Sequence, residues 1–113
     1  MDKYEFQIKT EQLENQLDRK NYDTASKIAD SIDWRKVRNV GLLMEVAEAY
    51  EYTERYEDSY EILNIAYDCA PIGRMIVYKM AELAVKMEDY DEAVDLYKEF
   101  VKIAPHDLGR YVL

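Results

Sequence analysis

Residues able to do chemistry are few in this chain of 113 residues, and their spacing argues against catalysis. His106 is the single histidine and Cys69 the single cysteine. A metal site or a nucleophile–base pair needs partners at ligand or hydrogen-bond spacing, and neither residue has one along the chain. Cys69, next to Ala70-Pro71, reads as small buried packing near a helix end, and His106 as a solvated turn residue. The acidic run Glu88-Asp89-Tyr90-Asp91 superficially offers calcium ligands, but it lacks the roughly 12-residue loop with a central Gly and a terminal Glu. Helix capping explains it better. No glycine-rich phosphate cradle and no nucleophile elbow occurs. The expectation is a chain with no catalytic residues, no metal and no cofactor, and so not an enzyme.

What remains is charge. Lys and Arg number 15 against 24 Asp and Glu, a formal net of −9. That balance argues against a domain that tracks nucleic-acid phosphates. The excess is uneven: residues 1–40 are neutral, 41–70 carry −7 and 71–113 carry −2. Glu45, Glu48 and Glu51 stand three apart, so Glu45 and Glu48 share a helix face. Such a face can steer and hold a basic peptide; equally, it can keep the surface solvated. No stretch approaches the roughly 18 apolar residues of a membrane helix, and Met1–Thr10 has no apolar stretch of the signal-peptide kind. A lone cysteine fits a reducing compartment. Together these give the expectation of a cytoplasmic protein with neither nucleic acid nor membrane as partner.

The elements that must position these residues are helices. With 49% hydrophobic residues the chain can build a core, and 3 Gly and 2 Pro leave few breakers. Val77, Met80, Ala81 and Ala84 follow one helix face, and Ala93, Leu96, Tyr97, Phe100 and Val101 follow another. The polar stretch Lys86–Asp91 between them predicts a turn, with Asp89 or Asp91 as N-cap of the second helix. No strand alternation competes.

Self-similarity organises the whole chain. Tyr22, Tyr56 and Tyr90 open matching segments, each 34 residues after the last. Ala70-Pro71 and Ala104-Pro105 stand 34 apart, as do Ala47 and Ala81. The middle unit reads Leu43-x2-Val46-Ala47-x2-Tyr50, then Ser59-x3-Leu63, then Pro71. The last reads Val77-x2-Met80-Ala81-x2-Ala84, then Ala93-x3-Tyr97, then Pro105. Small residues at Ala47, Ser59, Ala81 and Ala93 let paired helices approach, and each proline ends a unit.

This pattern resembles the tetratricopeptide repeat family. The resemblance implies an all-α fold, an α-α superhelix (solenoid) of about three helical hairpins. It divides a single domain over 1–113 into units of approximately 6–38, 39–72 and 73–107, with 108–113 starting a further, truncated helix. The first unit departs from the pattern. Phe6, Leu13 and Leu17 fit its first helix only with a one-residue slip before Tyr22; Val37 replaces the proline and Trp34 sits in a linker. Phe100 stands where the family has a small residue.

The resemblance further implies a protein-interaction module or scaffold whose first helices line a concave groove for peptide segments. Its positions carry over to Met44, Glu45, Glu48 and Tyr52 in the middle unit, and to Tyr78, Lys79, Glu82 and Lys86 in the last. The branch of the family that grips a peptide's terminal carboxylate uses Lys, Arg and Asn at these slots. Here Glu45, Glu48 and Glu82 stand at such slots, charges that repel a terminal carboxylate and leave room for a basic peptide as one reading of the groove. Among the tyrosines, Tyr50 and Tyr97 fall in core slots, leaving Tyr52 and Tyr78 for exposed recognition. The alternative is a structural segment of a longer repeat protein, self-associating as a homo-oligomer through an uncapped C-terminal edge.

Overall fold

The computed structural model describes residues 1–70 and 73–103. Pro71 and Ile72 lie outside the described residues. So do Ala104 to Leu113, and with them Pro105, His106 and the expected further helix over 108–113. Among the described residues six helices follow in order: α1 (Lys3–Asp18), α2 (Tyr22–Asp30), α3 (Val40–Tyr52), α4 (Tyr56–Cys69), α5 (Arg74–Lys86) and α6 (Tyr90–Ile103). They pair as α1/α2, α3/α4 and α5/α6, and each hairpin stacks on the next through α2 on α3 and α4 on α5. The result is an all-α stack of hairpins with extents of 44 × 27 × 25 Å.

The turn inside each hairpin is built the same way three times. Arg19, Thr53 and Met87 are the helix C-caps, and the residues after them, Lys20, Glu54 and Glu88, have φ of 57°, 61° and 62°. The backbone N–H groups of Asn21, Arg55 and Asp89 then reach back to the carbonyls of Gln16, Tyr50 and Ala84 at 2.9, 2.8 and 2.8 Å. This is the Schellman closure, which satisfies orphan carbonyls by sending one residue into the left-handed region. All three instances occupy a non-glycine residue, which is strained there. The next helix begins at once, at Tyr22, Tyr56 and Tyr90. Asp89 caps α6 by accepting from the Glu92 N–H at 3.3 Å, Asp2 caps α1 and Asn39 caps α3.

These turns correct the expected slip in the first unit, since the chain keeps its 34-residue step through Lys20. The irregularity lies in the packing. Leu13, the single buried residue of α1, occupies the slot held by Ala47 and Ala81 in the other first helices. A bulky residue there keeps α1 from approaching as the others do. In the middle hairpin the small pair brings Ser59 Oγ within 2.6 Å of the Ala47 carbonyl, to which it donates inside the core.

Leu43, Val46, Tyr50, Ile62, Leu63, Val77, Met80, Leu83 and Leu96 form the spine of one continuous core. Trp34, placed in a linker by its sequence, is buried and donates its Nε1–H to the Ala29 carbonyl at 3.0 Å, closing the end of α2. Gly73 enters α5 where a Cβ would meet the Ala70 carbonyl oxygen at 2.9 Å, so the junction between hairpins has no room for a side chain. Cys69 is half-buried rather than buried, its thiol directed at the Val37 carbonyl at 3.7 Å. Tyr97 is a further correction: expected in the core, it is exposed, because no following hairpin among the described residues packs on its side of α6.

Candidate peptide groove

The first helices of the hairpins share a face on which the sequence-predicted positions divide into two groups. Met44, Glu45, Glu48 and Lys79 line a small cavity of about 100 Å³, with Glu51 and Leu63 among its walls. Glu48, Tyr52, Lys79 and Lys86 line an adjoining cleft of about 380 Å³, with Glu51, Glu54 and Tyr56. Six of the eight predicted residues are therefore brought together. Tyr78 and Glu82 line neither cavity. Tyr78 is half-buried, its ring 6.1 Å from Tyr97 and 5.3 Å from Phe100, and the Arg74 guanidinium lies 4.9 Å over that same Phe100 ring. It serves the packing of α5 on α6 rather than an exposed recognition role.

Glu51 organises the cleft. Its side chain is 17% exposed and spans α3 to α5, receiving Lys86 Nζ at 2.5 Å and Lys79 Nζ at 3.9 Å. Lys86 also sits 5.4 Å over the Tyr56 ring. The hydrogen bond to Glu51 raises the Lys86 pKa, and both groove lysines lie within ion-pair distance of this one internal carboxylate. They are thereby withdrawn from service to an acidic ligand.

The carboxylates toward α1 are different. Among the described residues, Glu14, Asp18, Glu45 and Glu48 have no ion-pair partner. The Glu45 carboxyl is pushed above its ordinary range, first by desolvation, then by the charges of Glu14, Asp18 and Glu48. Beside them Tyr52 stacks on Tyr22, centroids 4.5 Å apart and planes within 4°, while remaining 64% exposed. Partial desolvation, then the charge of Glu48, raises the Tyr22 hydroxyl pKa. The face thus offers uncompensated negative charge next to an open aromatic surface, a combination that suits a cationic side chain.

Glu51 was missed as a groove residue, and so were three neighbours that line neither cavity: Tyr22, stacked on Tyr52, and Glu14 and Asp18, whose charges act on Glu45. Glu51 had a signal in its spacing after Glu45 and Glu48; the others come near only because α1 and α2 fold beside α3. A larger cleft of about 680 Å³ lies between the start of α1 and the 33–39 linker, and none of the eight predicted residues lines it. No group of three or more His, Cys, Asp and Glu suited to a metal occurs among the described residues, and no helix there is long and apolar enough to cross a membrane.

No family model matches the chain, and no curated protein matches it. Solved structures do. MamA AMB-1 aligns with a TM-score of 0.72 at 15% identity, over 87% of this chain and 58% of its own. MamA MSR-1 aligns at 0.75 and 15%, over 90% and 59%. MamA 41-end from Desulfovibrio magneticus RS-1 aligns at 0.70 and 16%, over 87% and 55%. The chain spans less than two thirds of the length of each of these three. At such identities the likeness is one of fold: an all-α superhelix of tetratricopeptide-like helical hairpins.

Proposed function

We propose that the chain is a non-enzymatic protein-interaction module, and that the face shared by α1, α3 and α5 takes a basic segment of a partner protein. The observation that carries this reading is the set Glu14, Asp18, Glu45 and Glu48, which lacks internal cations while the nearby lysines are both engaged by Glu51. A cationic ligand relieves that repulsion and can lay an Arg or Lys side chain on the exposed Tyr52 ring. The fold supports the reading, since stacked hairpins present extended concave surfaces suited to peptides.

The test is fluorescence anisotropy with a labelled Arg/Lys-rich peptide and an acidic peptide of equal length. The basic peptide binds and the acidic one does not. Glu45→Gln with Glu48→Gln weakens binding by about tenfold or more, each lost charge contact removing on the order of 1 kcal/mol. Equal binding of both peptides, or indifference to the double variant, overturns the reading.

A further inference from the structure

We propose that α6 is a self-complementary docking face on which a second copy of the chain lays its own α6, antiparallel, about a two-fold axis. Tyr90, Val94, Tyr97 and Val101 follow at steps of four, three and four, a single helical stripe, and they are 59%, 50%, 37% and 54% exposed. One period earlier, the same positions of α4 are Tyr56, Tyr60, Leu63 and Tyr67. There the stripe is covered by the hairpin that follows: Leu63 is buried, Tyr60 donates to Glu92 at 3.0 Å, Tyr67 donates to Glu99, and Lys86 lies over Tyr56. One period earlier again, Ser26 and Ala29 of α2 are buried at this face. The stripe on α6 is therefore the fold's own receiving surface, left open among the described residues.

Charge says what fits it. Asp91, Asp95, Lys98 and Lys102 run alongside the stripe, one residue on from each of its members, all exposed and none with an ion-pair partner among the described residues. The acidic pair lies in the N-terminal half and the basic pair in the C-terminal half. A two-fold antiparallel pairing keeps this flank on the same side of both helices. It sets Asp91 against Lys102 and Asp95 against Lys98 of the other copy, while Tyr90 meets Val101 and Val94 meets Tyr97. A parallel two-fold pairing sends this flank to opposite sides of the two helices, where its charges do not meet. The antiparallel arrangement also repeats the geometry by which consecutive helices of this chain already pack. Such a contact is isologous and closes at two copies. One helix pair buries less than a standard interface, so the association is weak and concentration-dependent.

The experiment is sedimentation of the full chain over a range of protein concentrations, with circular dichroism to confirm equal helix content of every variant. Wild type shows a monomer–dimer equilibrium, and Val94→Glu weakens it by about tenfold or more. Asp91→Lys with Asp95→Lys makes one flank wholly basic, and Lys98→Glu with Lys102→Glu makes the other wholly acidic. Each double variant is mainly monomeric alone, and a mixture of the two forms a heterodimer. The same charge order also suits the helix dipole, but dipole compensation predicts nothing on mixing. These four side chains are exposed, so the charge variants test the proposal even where Val94→Glu disturbs folding. A wild type that stays monomeric at every concentration contradicts it, and means the stripe is covered by residues 104–113 or by another protein. Dimers indifferent to the charge variants, or a mixture no stronger than its parts, contradict it equally.

Discussion

Arg55 shows how single residues set the geometry around the acidic face. It sits one residue past the left-handed Glu54, donating to Asp30 at 2.7 and 2.9 Å and to Asp58 at 2.9 Å, while its guanidinium lies 4.6 Å over the Tyr50 ring. It is the only basic residue between 41 and 70, and it is spent on joining α2 to α4. Glu51 draws its cations from α5, and Glu45 and Glu48 are left without an ion-pair partner among the described residues. The tyrosines do related work from inside. Tyr60 donates to Glu92 across the joint between the second and third hairpins, and burial, then that hydrogen bond, pushes its pKa up to about 12. A tyrosine whose folded pKa lies above the unfolded value of about 10 contributes stability that is fully present below pH 10 and lost as pH rises through the folded pKa. The expected outcome of an alkaline titration followed by tyrosinate absorbance is a late-titrating group of tyrosines, with unfolding setting in between about pH 10 and 12. Tyr60→Phe removes one member of that group. All tyrosines titrating together near pH 10 contradicts the assigned joint.

At the scale of the element, the hairpin turn was partly legible in the sequence and partly hidden. Tyr22, Tyr56 and Tyr90 announced where each second helix begins, and the small residues Ala47, Ser59, Ala81 and Ala93 announced where helices cross closely; all four are buried. The left-handed residues Lys20, Glu54 and Glu88 gave no such sign, because the glycine that normally marks this conformation is missing from all three. The slip expected before Tyr22 arose from reading apolar spacing alone, whereas the backbone closure fixes the register there. Tyr97 misled for the opposite reason: its slot is apolar throughout the repeat, but burial depends on a neighbour that the slot itself cannot supply. A consequence follows at this scale. Glu54→Gly and Glu88→Gly relieve strain that exceeds the entropy a glycine adds to the unfolded chain, so each raises stability by about 0.5–1 kcal/mol. Thermal unfolding measures this, and a lowered melting temperature in both variants means these turns are not left-handed.

For the molecule as a whole, stacking decides what the composition means. A net charge of −9 read from the sequence is a global quantity; in the fold it becomes local. Glu51 takes up Lys79 and Lys86, Arg55 takes up Asp30 and Asp58, and Glu14 and Asp18 of α1 come near enough to Glu45 and Glu48 of α3 to act on the Glu45 carboxyl. The gathering was only half visible beforehand, since Glu45 and Glu48 share a helix but Glu14 and Asp18 arrive from 31 and 30 residues away along the chain. The central claim is that this surface recognises a basic segment through charge. The most direct measurement is the affinity of the Arg/Lys-rich peptide as a function of ionic strength. Binding to this face weakens steadily as salt rises, because partly exposed charges are screened over roughly 10 Å at 0.1 M. An affinity indifferent to salt contradicts the claim.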